Sequence, residues 1–187
     1  EFTHGGIDLL TRNTFARVFD DFEQYTSDAN LQVTWSATNP GAGDPQLTTA
    51  ANAVRGRQSI QITATGGDAI LTREIANNTF GFPSSHRLGI RYIAFKGIVA
   101  AGTDAITVRL SDASDVNLYK EWAFTLSQNK TQDFIIDLYS GSTTAITGGG
   151  FLNTESYPGP SAEGATAWNP SLIDRFQFRG LATGSIF

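Results

Sequence analysis

The sequence predicts an all-β protein, a two-sheet antiparallel sandwich, and three observations carry that expectation. Apolar and polar residues alternate with period two in one short segment after another, which gives each segment one greasy face and one polar face. Glycine is plentiful, 19 residues in 187, and it gathers between those segments, where turns are needed. Charged residues make up only 17% of the chain, too few to clothe the outside of a helical bundle.

Residues 1–18 are expected to form an N-terminal arm, apolar at Ile7, Leu9, Leu10 and Phe15, and residues 19–187 the sandwich. Phe15, Val18, Phe19 and Phe22 stand at helical spacing, so a short amphipathic helix is the alternative there. Asp20, Asp21 and Glu23 interrupt that stripe and favour an extended arm running into the first strand. Leu31 to Ala37 and Ala69 to Ile75 are weaker strand candidates, and Ser59–Thr63 places two isoleucines on one face. Alternation is clearer in Leu88–Tyr92, Ile106–Leu110, Trp122–Leu126, Phe134–Leu138 and Phe176–Phe178. Turn signals fall between them at Asn39-Pro40-Gly41, Gly66-Gly67-Asp68, Gly81–Ser85 and Ser111–Asp115. The longest irregular stretch runs from Ser140 to about Pro170, and irregular stretches of that length often carry function. Stacking two sheets is the simplest way for so many strands to bury their apolar faces.

Composition removes several functional classes. A net charge of -5 leaves no excess of Lys and Arg to neutralise phosphates, so nucleic acid is not an expected partner. Without cysteine there is no disulfide framework, thiolate metal site or Cys nucleophile. No apolar run reaches the roughly 18–20 residues of a membrane-spanning helix. The chain opens on Glu1-Phe2 without an initiator methionine, as a trimmed or processed start would. Support for catalysis is thin: His4 and His86 are the only histidines, and neither a Gly-x-Ser-x-Gly elbow nor a His-Glu-x-x-His pair occurs. Glu121 and Asp137 offer a carboxylate pair for glycoside cleavage, but eighteen acidic residues supply such a pair by chance. The protein is therefore expected not to be an enzyme.

Four segments carry a family resemblance. They are Phe19-Asp20-Asp21-Phe22-Glu23-Gln24-Tyr25, then Ser27–Gln32 with Trp35, then Gly56-Arg57-Gln58-Ser59-Ile60-Gln61-Ile62, and finally Trp168–Phe178. In order and spacing they resemble galactose-binding-like jelly rolls, a group that includes carbohydrate-binding modules and related domains of secreted bacterial and phage proteins. The resemblance implies a jelly-roll sandwich. It also implies a calcium site drawn from the first acidic strand and from a last strand with an Asp-Asp pair. Here Asp21 and Glu23 match the first part, Asp20 beside them and Asp174 are further candidate ligands, and the sequence stops at Phe187 before the Asp-Asp strand. Carboxylates suit calcium, which takes about six to eight oxygen ligands.

Two binding roles follow. As a carbohydrate-binding module, the chain would hold a glycan or polysaccharide between aromatic faces and planar polar groups. Tyr119, Tyr139, Tyr157 and Trp168 are candidate platforms, and Arg91, Arg109, Glu121 and Asp137 alternate away from the apolar face to line a polar groove. Trp35 and Trp122 are expected in the core. The alternative is a virion structural protein, a capsid decoration or tail component. Its N-terminal arm would grip neighbouring subunits, and a partner strand would complete the edge at Phe187. The first role places the chain outside a cell as a secreted domain, the second on a virion surface.

Overall fold

Strand alternation becomes two facing sheets in the computed structural model, which describes residues 7–11, 16–40, 44–54, 56–63, 65–75, 90–128, 131–138, 146–147, 156–157 and 160–187. In chain order the elements are β1 (Ile7–Thr11), β2 (Ala16–Asp20), α1 (Asp28–Thr34), β3 (Trp35–Pro40), β4 (Gln46–Leu47), β5 (Ile60–Gln61), β6 (Thr65–Glu74) and β7 (Ile90–Gly97). They continue as β8 (Thr103–Ser111), β9 (Tyr119–Ser127), β10 (Gln132–Asp137), β11 (Ile146–Thr147), β12 (Ser156–Tyr157), β13 (Ala162–Glu163), a 3-10 turn (Pro170–Leu172) and β14 (Arg175–Leu181). The larger sheet has six strands in the order β13-β9-β8-β14-β6-β3, and the smaller has four, β10-β7-β1-β2. Every pairing in both sheets is antiparallel.

The core lies between the sheets and sets a cluster of aromatic rings among aliphatic side chains. Ile106, Val108 and Leu110 of β8, Trp122 and Leu126 of β9, and Phe176 and Phe178 of β14 are all buried on the inner face of the larger sheet. Ile93 and Phe95 of β7 and Ile136 of β10 meet them from the smaller sheet. Phe95 joins the layers, with its ring centroid 5.3 Å from Phe124 and 5.2 Å from Phe178. Each such ring contributes roughly 1.5–3 kcal/mol by leaving water. Trp35 and Trp122 are both fully buried, as their strand positions predict.

Four departures from the sequence reading have physical causes. Within the segment expected as an arm, β1 and β2 form an antiparallel pair, and β1 also pairs with β7 from Ile7↔Phe95 to Thr11↔Ile90. The exposed edge of β7 offers a ladder of donors and acceptors, and satisfying it outweighs leaving an apolar segment loose. The strand expected at Leu31–Ala37 begins only at Trp35, because residues 28–34 are helical. Ser27 caps that helix, its hydroxyl accepting from the Asn30 amide at 3.2 Å, and Leu31 is its one buried residue. Gly66-Gly67-Asp68 is not a turn but part of β6, while the chain bends on the partner strand at Asn39, whose φ is 53°. The register there shifts between Thr38 and Pro40, the signature of a bulge. The expected turn at Gly81–Ser85 lies outside the described residues.

The fourth departure concerns the edge at Phe187. Residues 184–187 run between two strands and are bonded on both sides. The Phe187 and Gly184 amides donate to Ile60 and Ile62 carbonyls at 2.9 and 2.7 Å. On the other flank Ile186 exchanges both backbone bonds with Ile98, at 2.9 and 3.0 Å. Phe187 itself is buried and stacks on Phe178, ring centroids 4.0 Å apart. The ladder that a partner strand was expected to complete is thus occupied from within the chain.

Candidate functional site

The outer face of the six-stranded sheet gathers polar side chains into one lateral row. Since inward residues alternate with outward ones, burial of Trp122, Leu110, Phe176, Phe178 and Leu71 turns Glu121, Arg109, Gln177 and Thr72 to the other face. Strand register aligns them: Glu121 opposes Arg109, Arg109 opposes Gln177, Gln177 opposes Thr72, and Thr72 opposes Ser36. Five strands about 4.8 Å apart make this row about 19 Å long. Beside it runs a lower row, Ala123, Thr107, Arg179, Ile70 and Thr38, mostly of short side chains.

Charge pairing holds the tall row in place. One oxygen of Glu121, Oε1, accepts from Arg109 Nε at 2.5 Å and from Arg179 Nη1 at 3.0 Å. The Arg109 guanidinium also lies over the Tyr119 ring, 4.1 Å from its centroid. Gln177 donates through Nε2 to Thr72 Oγ1 at 3.0 Å, which fixes the amide and turns its carbonyl away from that bond. At the end of the face, Arg175 Nε donates to Glu74 Oε1 at 2.8 Å. The result is a rigid, half-exposed array of guanidinium, carboxylate, amide and hydroxyl groups with one aromatic ring. Such an array recognises hydroxyl groups, since each hydroxyl needs both a donor and an acceptor.

Of the expected sugar-binding residues, the structure brings together Arg109, Tyr119 and Glu121. Arg91 and Asp137 lie on β7 and β10 of the other sheet, so Glu121 and Asp137 stand on strands of different layers. Tyr139 lies outside the described residues. Trp168 packs half-buried against the core beside Lys120, whose ammonium lies 5.3 Å from its ring. Lys120 alternates with Tyr119 and Glu121 and is itself buried, which places Trp168 on the opposite side of β9 from the polar row. Gln177 and Arg179 were missed by the sequence reading. Their alternation with Phe176 and Phe178 turns them outward, but only the strand order β9-β8-β14 sets them beside Arg109 and Glu121.

The expected calcium ligands stand apart. Glu23 accepts from the Arg57 guanidinium at 2.9 Å and from the Arg57 and Gln58 amides, so both of its oxygens are engaged. Burial works to raise the Glu23 pKa, but those hydrogen bonds and the Arg57 charge outweigh it and hold the carboxyl below 4.5. A side chain at Gly56, where φ is 73°, would run into that carboxylate. Asp21 accepts from the Glu23 amide at 3.1 Å, and Asp174 from the Ala113 amide at 2.7 Å. Among the described residues no group of three or more carboxylate or histidine side chains is placed to hold a metal ion.

The fold itself has counterparts among solved structures. Over 98% of its length the chain superposes on 92% of a family 11 carbohydrate-binding module from Clostridium thermocellum, solved in complex with a β-1,3-1,4-mixed-linked tetrasaccharide, with a TM-score of 0.52 and 14% identity. An agarase and an exo-β-agarase each match 82% of this chain, with TM-scores of 0.52 and 0.54 and identities of 12% and 9%. The chain spans 22% of the length of each agarase. No family profile matches the sequence, and no curated protein matches it. At these identities the likeness establishes the fold alone: a two-sheet β-sandwich of the kind seen in the family 11 carbohydrate-binding module.

Proposed function

We propose that this protein is a non-catalytic carbohydrate-binding domain that holds an extended polysaccharide across the outer face of its six-stranded sheet. The observation that carries this reading is the row Glu121–Arg109–Gln177–Thr72, pinned by the shared Glu121 oxygen and flanked by Tyr119. Arg109 and Arg179 donate to ring and hydroxyl oxygens, the Gln177 carbonyl accepts from hydroxyls, and the Tyr119 ring offers apolar surface to the C–H face of a pyranose. The low neighbouring row gives a chain of sugar rings room to lie flat. The family 11 module, solved with a tetrasaccharide, supports the same class of ligand on the same fold. A domain of this kind acts outside the cell, where polysaccharides are met.

Neither feature that suggested a virion role supports it. The arm supplies strands to the smaller sheet, and the ladder beside Phe187 is filled from within.

Native affinity electrophoresis tests the proposal. The protein is run through gels containing agar, mixed-linked β-glucan, xylan, mannan or pectin. Retardation by at least one polysaccharide is expected, and Tyr119→Ala should abolish most of it. Unchanged mobility in every gel would overturn the reading.

A further inference from the structure

A second concavity lies at one end of the sandwich, where the turns after β7 and β9 meet residues 184–186. Strand β8 pairs with β9 from Thr103↔Ser127 at this end to Arg109↔Glu121 in the polar row, six residues on. At about 3.4 Å per residue the two places are roughly 20 Å apart along the strand. The cleft has a volume of about 580 Å³, within the range of small-molecule sites.

Its lining is apolar and amide-bearing, with no acidic or basic side chain among the described residues that form it. Ile98 and Ile186, bonded to each other through their backbones, supply apolar surface. Asn52, Gln61, Gln128 and Thr131 supply the polar groups. Gln128 is oriented by the Gly102 amide, which donates to its Oε1 at 3.1 Å and so turns its NH2 group away. Among the described residues the side chains of Asn52, Gln61 and Thr131 have no hydrogen-bond partner, although each has donor and acceptor capacity.

We propose that this cleft is a second ligand site, shaped for a neutral sugar ring. The described lining carries no charge and so gives no advantage to an ionised ligand. Side-chain amides present a donor and an acceptor in one plane, the pair that two adjacent hydroxyls of a sugar require, while the isoleucines take its C–H face. The tightness of the floor helps to define the shape: a Cβ at Gly184, where φ is 84°, would collide with Ala100, so only glycine lets the two backbones approach. The site is independent of the sheet face. Occupied together, the two would hold one polysaccharide at two points and raise its avidity without any new contact.

Nuclear magnetic resonance separates the two sites. Uniformly 15N-labelled protein is titrated with glucose, galactose and the β-1,3-1,4-mixed-linked tetrasaccharide. The amide signals of Gln61, Ile98, Gln128 and Gly184 are expected to shift with at least one of these sugars. Gln61→Ala and Ala100→Trp should each weaken that event about tenfold, while Tyr119→Ala leaves it unchanged. Gln61 sits on the rim and is only half-buried, so its variant keeps the test open if Ala100→Trp fails to fold. Shifts confined to β8, β9 and β14 would overturn the cleft and leave the sheet-face reading intact. Shifts confined to the cleft would support it and count against the sheet face. An absence of cleft shifts with all three sugars would overturn this proposal whatever the polysaccharide gels show.

Discussion

A buried carboxylate is costly unless its oxygens are engaged, and Asp20 at the end of β2 meets that requirement with five donors. Its Oδ2 accepts from the Tyr25 hydroxyl at 2.7 Å, Trp35 Nε1 at 2.9 Å and Arg73 Nη1 at 2.5 Å, and its Oδ1 from the Phe22 amide at 2.9 Å and Gln24 Nε2 at 3.4 Å. The sequence reading took this residue for a rim carboxylate near calcium, since nothing in an Asp-Asp pair tells which member turns inward. Replacing Asp20 by alanine leaves Arg73 without its carboxylate partner and strands three buried donors, the Phe22 amide, the Tyr25 hydroxyl and Trp35 Nε1. Urea denaturation should show a loss of about 3–5 kcal/mol with little change in slope. Burial and the Asp20 hydrogen bond raise the Tyr25 pKa above 10.0, so the neutral phenol contributes stability that is fully present below pH 10 and lost as pH rises through the folded value. Glu23 works in the opposite sense. Its lowered pKa contributes stability above pH 4.5 that disappears as pH falls through the depressed folded value. Denaturation midpoints of the wild type and Glu23→Gln should therefore differ at neutral pH and converge in acid.

At the scale of elements, the strands with strong alternation were legible and those defined by pairing were not. Ile106–Leu110, Trp122–Leu126 and Phe176–Phe178 fall within β8, β9 and β14, with their apolar members buried as the period demands. By contrast, β1 and α1 depend on partners far along the chain: β1 on the free edge of β7, and α1 on the core that receives Leu31. The one local clue to α1, a serine followed by an acidic first turn at Ser27-Asp28, was read only as part of a family motif. Ser27→Ala should cost about 1 kcal/mol in thermal or chemical denaturation, the usual loss on removing a cap. Phe187→Ala removes the ring stacked on Phe178 and loosens the 184–187 strand beside it, and should cost about 3–5 kcal/mol. A loss below about 1 kcal/mol would mean that this strand adds little to the sandwich.

For the molecule as a whole, the fold was more legible than the site. Alternation and glycine content specify a sandwich, but they do not specify which strands lie side by side. A binding face is built across strands, so Arg109 and Glu121 were nameable from the sequence while their partner Arg179 was not. The same gap misplaced Trp168, whose loop position suggested exposure before Lys120 and the core received it. Calorimetric titration with the polysaccharide that most retards the protein, comparing the wild type with the Tyr119→Ala/Gln177→Ala double variant, tests the central claim most directly. The sheet-face account predicts measurable heat for the wild type and binding at least about tenfold weaker for a double variant that remains fully folded. Equal affinity for the two proteins would contradict it.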